Sequence, residues 1–452
     1  MDKNAMMQTL ARDAYEKGSF NGVWLYAEGG EIVSKGAYGF RDADDKLPMQ
    51  EDSIYELASI TKQFTAAAVM LLIRRGLLRL EDEITEFFPE IPYKGATVRH
   101  LLTHTAGVPD IYDSDWIVKV WEEEKKIPSN DIILRYLTES GEGPLFAPGE
   151  QFEYSNTGYN LLAELVQKVS GVPFEDFLKE NIFEPAGMHS TGVYHLRRDG
   201  VPSDDFVRNL VREDGRYLLP DDSEGDYDVA AVDGLNGDDY VYTTVFDMLI
   251  WDRVLRDGRV LTHEEQQLMY TPCKLNSGEV YEEDGEGYGF GWGIIRDSEL
   301  GLIVNHSGGM PGLNTWYERF LDADRVLLLL ISRDSEDARA CKGFWDGMRD
   351  VAKGKEPAPV RTIEDISIKD PDKSKWESFC GKYEKLVEDF PLEEVCMKDG
   401  DLYGKVVWDE NDRFECKFYP IGGSTFGRKN GFVRIEFGDG CVSINETTCK
   451  KL

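Results

Sequence analysis

Glu56-Leu57-Ala58-Ser59-Ile60-Thr61-Lys62-Gln63-Phe64 is the stretch on which the fold turns. It holds the only S-x-x-K of the chain, and the apolar run Thr65-Ala66-Ala67-Ala68-Val69-Met70-Leu71-Leu72-Ile73 follows directly. A run apolar on every side predicts a buried helix, and Arg74-Arg75-Gly76 supplies a basic last turn and a glycine cap. Residues three apart share a helix face, so the Ser59 hydroxyl and the Lys62 amine point into the same space. A serine hydroxyl needs a neighbour to take its proton. A lysine desolvated against an apolar helix is driven towards the neutral amine that does this. Alone the tetrapeptide is weak, because a helix-start serine and a lysine reaching solvent fit the same letters.

Two further segments change the balance. In Phe152-Glu153-Tyr154-Ser155-Asn156-Thr157-Gly158, Tyr154 is the only tyrosine with an asparagine two residues on. A phenol beside cations or donors has its pKa lowered and can relay a proton. Asn156 offers a donor and an acceptor, suited to holding a lysine on one side and a substrate amide on the other. The plainer reading is a loop tyrosine and an asparagine capping the helix that starts before Leu161-Leu162. The third segment, Leu302-Ile303-Val304-Asn305-His306-Ser307-Gly308-Gly309-Met310, is a strand running into small residues against which a ligand can lie. Its plainer reading is a glycine-rich hairpin with one surface histidine.

In this order and spacing S-x-x-K, Y-x-N and H-x-G resemble the active-site motifs of the class C β-lactamase and penicillin-binding-protein-like serine hydrolases. That group includes DD-peptidases, D-aminopeptidases and esterases. Arg99-His100-Leu101-Leu102-Thr103-His104-Thr105-Ala106-Gly107, Glu184-Pro185-Ala186-Gly187-Met188, Tyr242-Thr243-Thr244 and Gly287-Tyr288-Gly289-Phe290-Gly291-Trp292-Gly293 extend the resemblance over roughly residues 20 to 335. The resemblance implies an α+β, β-lactamase/transpeptidase-like fold: an antiparallel sheet flanked by helices, a helical subdomain, and catalysis between them. It also implies roles. Ser59 is the nucleophile, Lys62 and Tyr154 move its proton, and Asn156 orients Lys62 and the substrate amide. The Ser59 and Gly309 N–H groups, beside Gly308, form the oxyanion hole, and His306 lines the site. Class C enzymes and many DD-peptidases carry lysine where this chain has His306, and a histidine is mostly neutral at pH 7. That departure favours an amide or ester hydrolase, of peptidase, aminopeptidase or esterase type, over a β-lactamase or DD-carboxypeptidase. A catalytically silent scaffold whose β domain binds a ligand or partner is the alternative of another class.

Composition sets outer bounds. The chain has 452 residues, more than one ordinary domain, with 51 basic against 85 acidic side chains and a net charge of -34. Such a surface argues against nucleic acid and anionic membranes and attracts cations or amine-bearing ligands. The expected partner is a small-molecule or peptide substrate, and a homo-oligomer is compatible with the sequence. Neither a hydrophobic leader nor a bilayer-length apolar stretch is visible, and the seven cysteines are odd in number with no C-x-x-C pair. Reduced thiols in a cytoplasmic protein are the expectation. No metal is expected: His100 and His104 lack the intervening glutamate of a zincin helix. No cofactor is expected either, since neither a phosphate loop nor a dinucleotide fingerprint occurs.

Along the chain, an amphipathic helix at about residues 4 to 17 precedes a hairpin turning at Gly29-Gly30. Helical patterns dominate from Ser59 to about Gly200, and the acidic, glycine-rich stretch Asp221 to Asp239 reads as a loop over the active site. Within it Asp238-Asp239 stands where relatives have small residues: a receiver for a substrate amine, or simply a solvated acidic loop. Strands return from Gly287 to Ser332, and a helix follows from about Ala338 to Val351. The organisation expected is a catalytic domain at 1–355, a proline-bearing linker at 356–370, and a small antiparallel β barrel at 371–452. The barrel resembles the lipocalin-like domains of some D-aminopeptidase-type members. Its hairpin signals are Asp399-Gly400, Gly422-Gly423 and Asp439-Gly440.

Overall fold

Two runs of alternating residues around Gly29-Gly30 pair as β1 (Gly22–Glu28) and β2 (Glu31–Tyr38), with both glycines at positive φ, 59° and 79°. The remaining strands of this sheet come from the other end of the domain. They are β3 (Glu286–Tyr288), β4 (Gly293–Asp297), β5 (Gly301–Met310), β6 (Leu313–Phe320) and β7 (Arg325–Ile331). The order is β2-β1-β7-β6-β5-β4-β3 and every pair is antiparallel. The join between the two ends runs from Gly22 opposite Ile331 to Glu28 opposite Arg325. This is the computed structural model of the chain, and it describes residues 2–213, 215–223, 229–384, 390–407, 413–429, 433–438, 440–445 and 447–452.

The apolar run after Ser59 forms α1 (Lys62–Arg74), buried from Lys62 through Leu72. Its buried polar side chains find partners inside the domain, although Gln63 Nε2 has none. Trp251 Nε1 donates to Gln63 Oε1 at 2.9 Å, and Thr65 Oγ1 donates to the Gly237 carbonyl at 2.6 Å. Gly76, at φ 70°, closes the helix as expected. The helix α2 (Asp115–Glu124) packs on the turn at Val229–Val232, while α3 (Asn156–Ser170) and α4 (Val245–Arg256) stand against α1. The cap of α3 is Ser155, whose hydroxyl accepts from the Gly158 N–H at 3.1 Å, so Asn156 begins the helix rather than capping it.

One expectation fails here. Residues 224–228 of the acidic stretch lie outside the described residues, but from Val229 onward it is no solvated loop. It opens as a helical turn, Val229–Val232, and is buried through Tyr240, with Asp233, Asp238 and Asp239 0%, 1% and 4% exposed. Asp233 and Asp238 are satisfied by Arg197, Arg198 and Asn160, far away in sequence, which is why composition alone misplaces them.

By its internal contacts the chain divides into two units, Asn21–Asp334, just described, and Met1–Phe20 with Ser335–Leu452. In the second, the helices Lys3–Glu16 and Ala338–Ala352 pack together, and Phe20 lies 4.6 Å from Phe344 between ring centres. Eight short strands between Gly381 and Lys450 follow one another in an antiparallel sheet. A bridge from Tyr383 to Lys451, with Leu452 N–H donating to the Lys382 carbonyl at 2.8 Å, brings the last strand back to the first. The Asp399-Gly400 turn has both residues at positive φ, 51° and 80°, as a two-residue hairpin requires. Asp439 lies outside the described residues. Trp376, Phe379, Phe418, Phe426 and Phe437 fill the interior, so it is a packed core rather than an open cup.

Candidate active site

Ser59 sits in a 3-10 turn, Ala58–Thr61, immediately before α1. The preceding residue, Ala58, has φ 48°, a conformation that costs a non-glycine residue energy and is kept by its surroundings. Two contacts hold it. The Leu57 N–H donates to the Val241 carbonyl at 2.8 Å, and Thr315 Oγ1 of β6 donates to the Leu57 carbonyl at 2.7 Å. Gly308 on β5 completes the clamp. A methyl group there would come within 2.3 Å of the Leu57 carbonyl and 2.4 Å of Thr315 Oγ1, whereas at Gly309 it would meet open space. Strand β4 pairs with β5 only as far as Asn305, so that edge of β5 is open from His306 to Met310.

Lys62 is fully buried, and its ammonium has three acceptors for three protons. They are Ser59 Oγ at 2.9 Å, Asn156 Oδ1 at 2.7 Å and the Asp238 carbonyl at 3.2 Å. Tyr154 stands beside the same group, its ring centre 4.9 Å from the Lys62 nitrogen. The structure thus brings Ser59, Lys62, Tyr154 and Asn156 together. Their protonation differs from the sequence expectation. Burial lowers the Lys62 pKa, but Tyr154, Asp238 and Asp239 outweigh it and the net shift is upward. Burial likewise raises Tyr154 despite Lys62 beside it. The resting pair is therefore an ammonium and a neutral phenol.

Asn156 holds Lys62 as expected and is itself held by a residue the sequence did not mark. Its Oδ1 accepts from Lys62, while its Nδ2 and backbone N–H both donate to Asp110 Oδ2, at 2.9 and 2.7 Å. Asp110, pushed up to about 6 mainly by burial, thus fixes the asparagine from behind. His306 is 6% exposed, and both ring nitrogens are committed. Nδ1–H donates to the Ser307 carbonyl at 2.6 Å, and Nε2 accepts from the Tyr288 hydroxyl at 2.9 Å. Burial and Lys62 push its pKa down to about 3, so it is neutral at physiological pH. Its ring centre is 6.3 Å from that of Tyr154, and the phenol it bonds is that of Tyr288.

Sequence reasoning assigned no role to Asp110 or Tyr288. Tyr288 was visible only as one residue of a glycine-rich strand, and nothing around Asp110 marked it. His104, which lacks a zincin glutamate, is structural by its geometry. Its Nδ1 accepts the Ser155 N–H at 3.1 Å, and its ring packs 4.3 Å from Tyr154, 4.8 Å from Tyr288 and 5.0 Å from Tyr159. The Asp238 carboxylate is bonded to the Asn160 amide, and Asp239 Oδ1 accepts its neighbour's Tyr240 N–H at 2.9 Å. Burial raises both pKa values, Asp239 strongly, with Glu56 adding to it. That makes either a poor receiver for a substrate amine. Among the described residues no cluster of His, Cys, Asp and Glu could hold a metal ion, and no helix is long and apolar enough to cross a membrane.

A serine beside a buried lysine and a tyrosine, between an antiparallel sheet and a helical layer, is the arrangement of the β-lactamase-type class of serine hydrolases. The chain belongs to that family: the model described as Beta-lactamase matches residues 7–346. Penicillin-binding protein 4* of Bacillus subtilis is 32% identical over 438 residues, covering 96% of this chain and 94% of that protein. A D-amino acid amidase from Ochrobactrum anthropi, solved with D-phenylalanine, superposes with TM-score 0.63 and 25% identity, over 78% of this chain and 99% of its own. The octameric penicillin-binding protein homologue from Pyrococcus abyssi shares the fold over 100% of both chains, with TM-score 0.66 and 22% identity.

Proposed function

We propose that the protein cleaves amide or ester bonds through an acyl-enzyme on Ser59. The observation that carries this is the Lys62 ammonium held at once by Ser59 and Asn156 inside the core. In this reading Ser59 Oγ attacks the carbonyl carbon. Its proton passes into the Tyr154–Lys62 pair and on to the leaving group, and water reverses the path to release the acid. The N–H groups of Ser59 and Gly309 stabilise the oxyanion, each donor being worth about 3–4 kcal/mol in the transition state. Gly309 suits that task because its surface is open while Gly308 is packed shut. His306 serves as a neutral strut for Tyr288 rather than as a cation. The similarity to a D-amino acid amidase supports an amide-cleaving activity.

The names of relatives favour a second reading, hydrolysis of β-lactams or of peptides ending in a free carboxylate. A neutral His306 weighs against it, because those substrates gain from a cation. Labelling with a fluorophosphonate probe tests the nucleophile: Ser59→Ala should abolish it with little change in thermal stability. Comparing kcat/KM for nitrocefin, a short ester and a D-aminoacyl anilide tests the class. His306→Lys should improve relative activity on the carboxylate-bearing substrate. A wild-type preference for nitrocefin by a wide margin would make β-lactamase the better reading. An unlabelled wild type would favour the silent scaffold.

A further inference from the structure

One residue beyond Gly309, at Met310-Pro311, strand β5 ends against a cavity of about 280 Å³. Ile117 and Val118 of α2 form one wall, and Val229 and Val232 form another. Tyr112, two residues past the Asp110 that anchors Asn156, also lines it. The cavity is therefore bounded by the next residues along from both the proposed oxyanion donor and the asparagine that holds Lys62. Tyr154, which would protonate the leaving group, packs instead with His104, Tyr288 and His306, none of which lines the cavity. Asp113 and Asp115 also line the cavity, and both are exposed. Its floor is apolar and its mouth is anionic.

We propose that this cavity receives the acyl side of the substrate, and that its preferred acyl groups are apolar, of medium length, and without negative charge at the far end. This rests on the Ser59 acyl-enzyme reading. The volume equals roughly nine waters' share of liquid, room for a six- to eight-carbon chain or a phenyl ring. Such a group buries against the valines and isoleucine. A terminal carboxylate meets Asp113 and Asp115, whereas a terminal amine is attracted to them.

The test uses p-nitrophenyl esters of acetate, hexanoate, 6-aminohexanoate and the monoester of adipate. Hexanoyl should exceed acetyl by ten-fold or more in kcat/KM. The adipoyl ester should fall at least ten-fold below hexanoyl, with 6-aminohexanoyl equal to hexanoyl or better. Val232→Trp, or Met310→Phe should the first variant fail to fold, should lower the hexanoyl-to-acetyl ratio about ten-fold by filling the cavity. Asp113→Asn with Asp115→Asn should close most of the gap between adipoyl and hexanoyl. A flat chain-length series in a protein whose Ser59 is still labelled by fluorophosphonate overturns the subsite and leaves the hydrolase standing. Absence of labelling overturns both. Equal losses on all esters in the filled variant also reject the subsite.

Discussion

In the proposed mechanism Ser59, Lys62 and Tyr154 carry the chemistry at the scale of single side chains. Both proton carriers hold their protons more tightly than free side chains, so near neutral pH the pair is one proton too full to act as a base. Loss of that proton switches the site on, so kcat/KM should climb from neutral into alkaline pH. The apparent pKa belongs to the pair rather than to either residue. The sign follows from the upward shifts: a pair with lowered pKa values would already be active at pH 6. Steady-state rates over roughly pH 6 to 10 decide it, and a profile that peaks below neutrality rejects the resting state described here. Tyr154→Phe should cost at least about 10²-fold and flatten the climb. Lys62→Ala should cost more, and the double variant little more than the worse single one, because the two act as a unit. Additive losses would mean separate proton paths.

At the scale of elements, the nucleophile turn depends on how closely β5 and β6 approach it. Gly308 is where no side chain fits, for both the Leu57 carbonyl and Thr315 Oγ1 occupy the space. Gly308→Ala should therefore cost about 1–3 kcal/mol of stability and much of the activity, by pushing the strand off the turn. Gly309→Ala meets nothing and keeps its N–H, so its melting temperature should match the wild type. Thermal melts of the two variants side by side make the comparison. Equal effects would show that the clamp is not tight. The strands themselves were legible: Gly29-Gly30 and Asp399-Gly400 announced their hairpins because positive φ at a turn leaves a residue-type signature. The acidic stretch ending at Asp239 was not, because its burial depends on partners such as Asn160.

Across the whole molecule, the excess of 85 acidic over 51 basic side chains creates a field that draws cationic substrates. For a cationic ester kcat/KM should fall as salt rises, since attraction is screened over about 8–10 Å at physiological ionic strength. A neutral ester of the same length should show no such fall. Parallel salt dependence for both would mean that salt acts on the enzyme, not on encounter. The same excess does nothing to stabilise the fold. Inside, the charge is balanced locally, as where Arg319 donates to Asp252 at 2.7 Å with both side chains buried.

The sequence by itself determined the helix behind Ser59, the hairpins, and the identity of the serine, lysine, tyrosine and asparagine that meet. Periodicity, glycine at turns and motif spacing are local signals, and a helix or strand responds to local signals. Tertiary structure alone decided the state of those groups. Lys62 is an ammonium because Ser59 Oγ, Asn156 Oδ1 and the Asp238 carbonyl, 94 and 176 residues away for the last two, gather around it. His306 is neutral because Tyr288 and the Ser307 carbonyl take both its nitrogens inside the core. Asp110 entered the site unannounced, since a single aspartate carries no pattern and becomes an anchor only when Asn156 is folded against it. Protonation and hydrogen-bond partnership depend on burial and on distances across the chain, and neither is written in the spacing of residues along it.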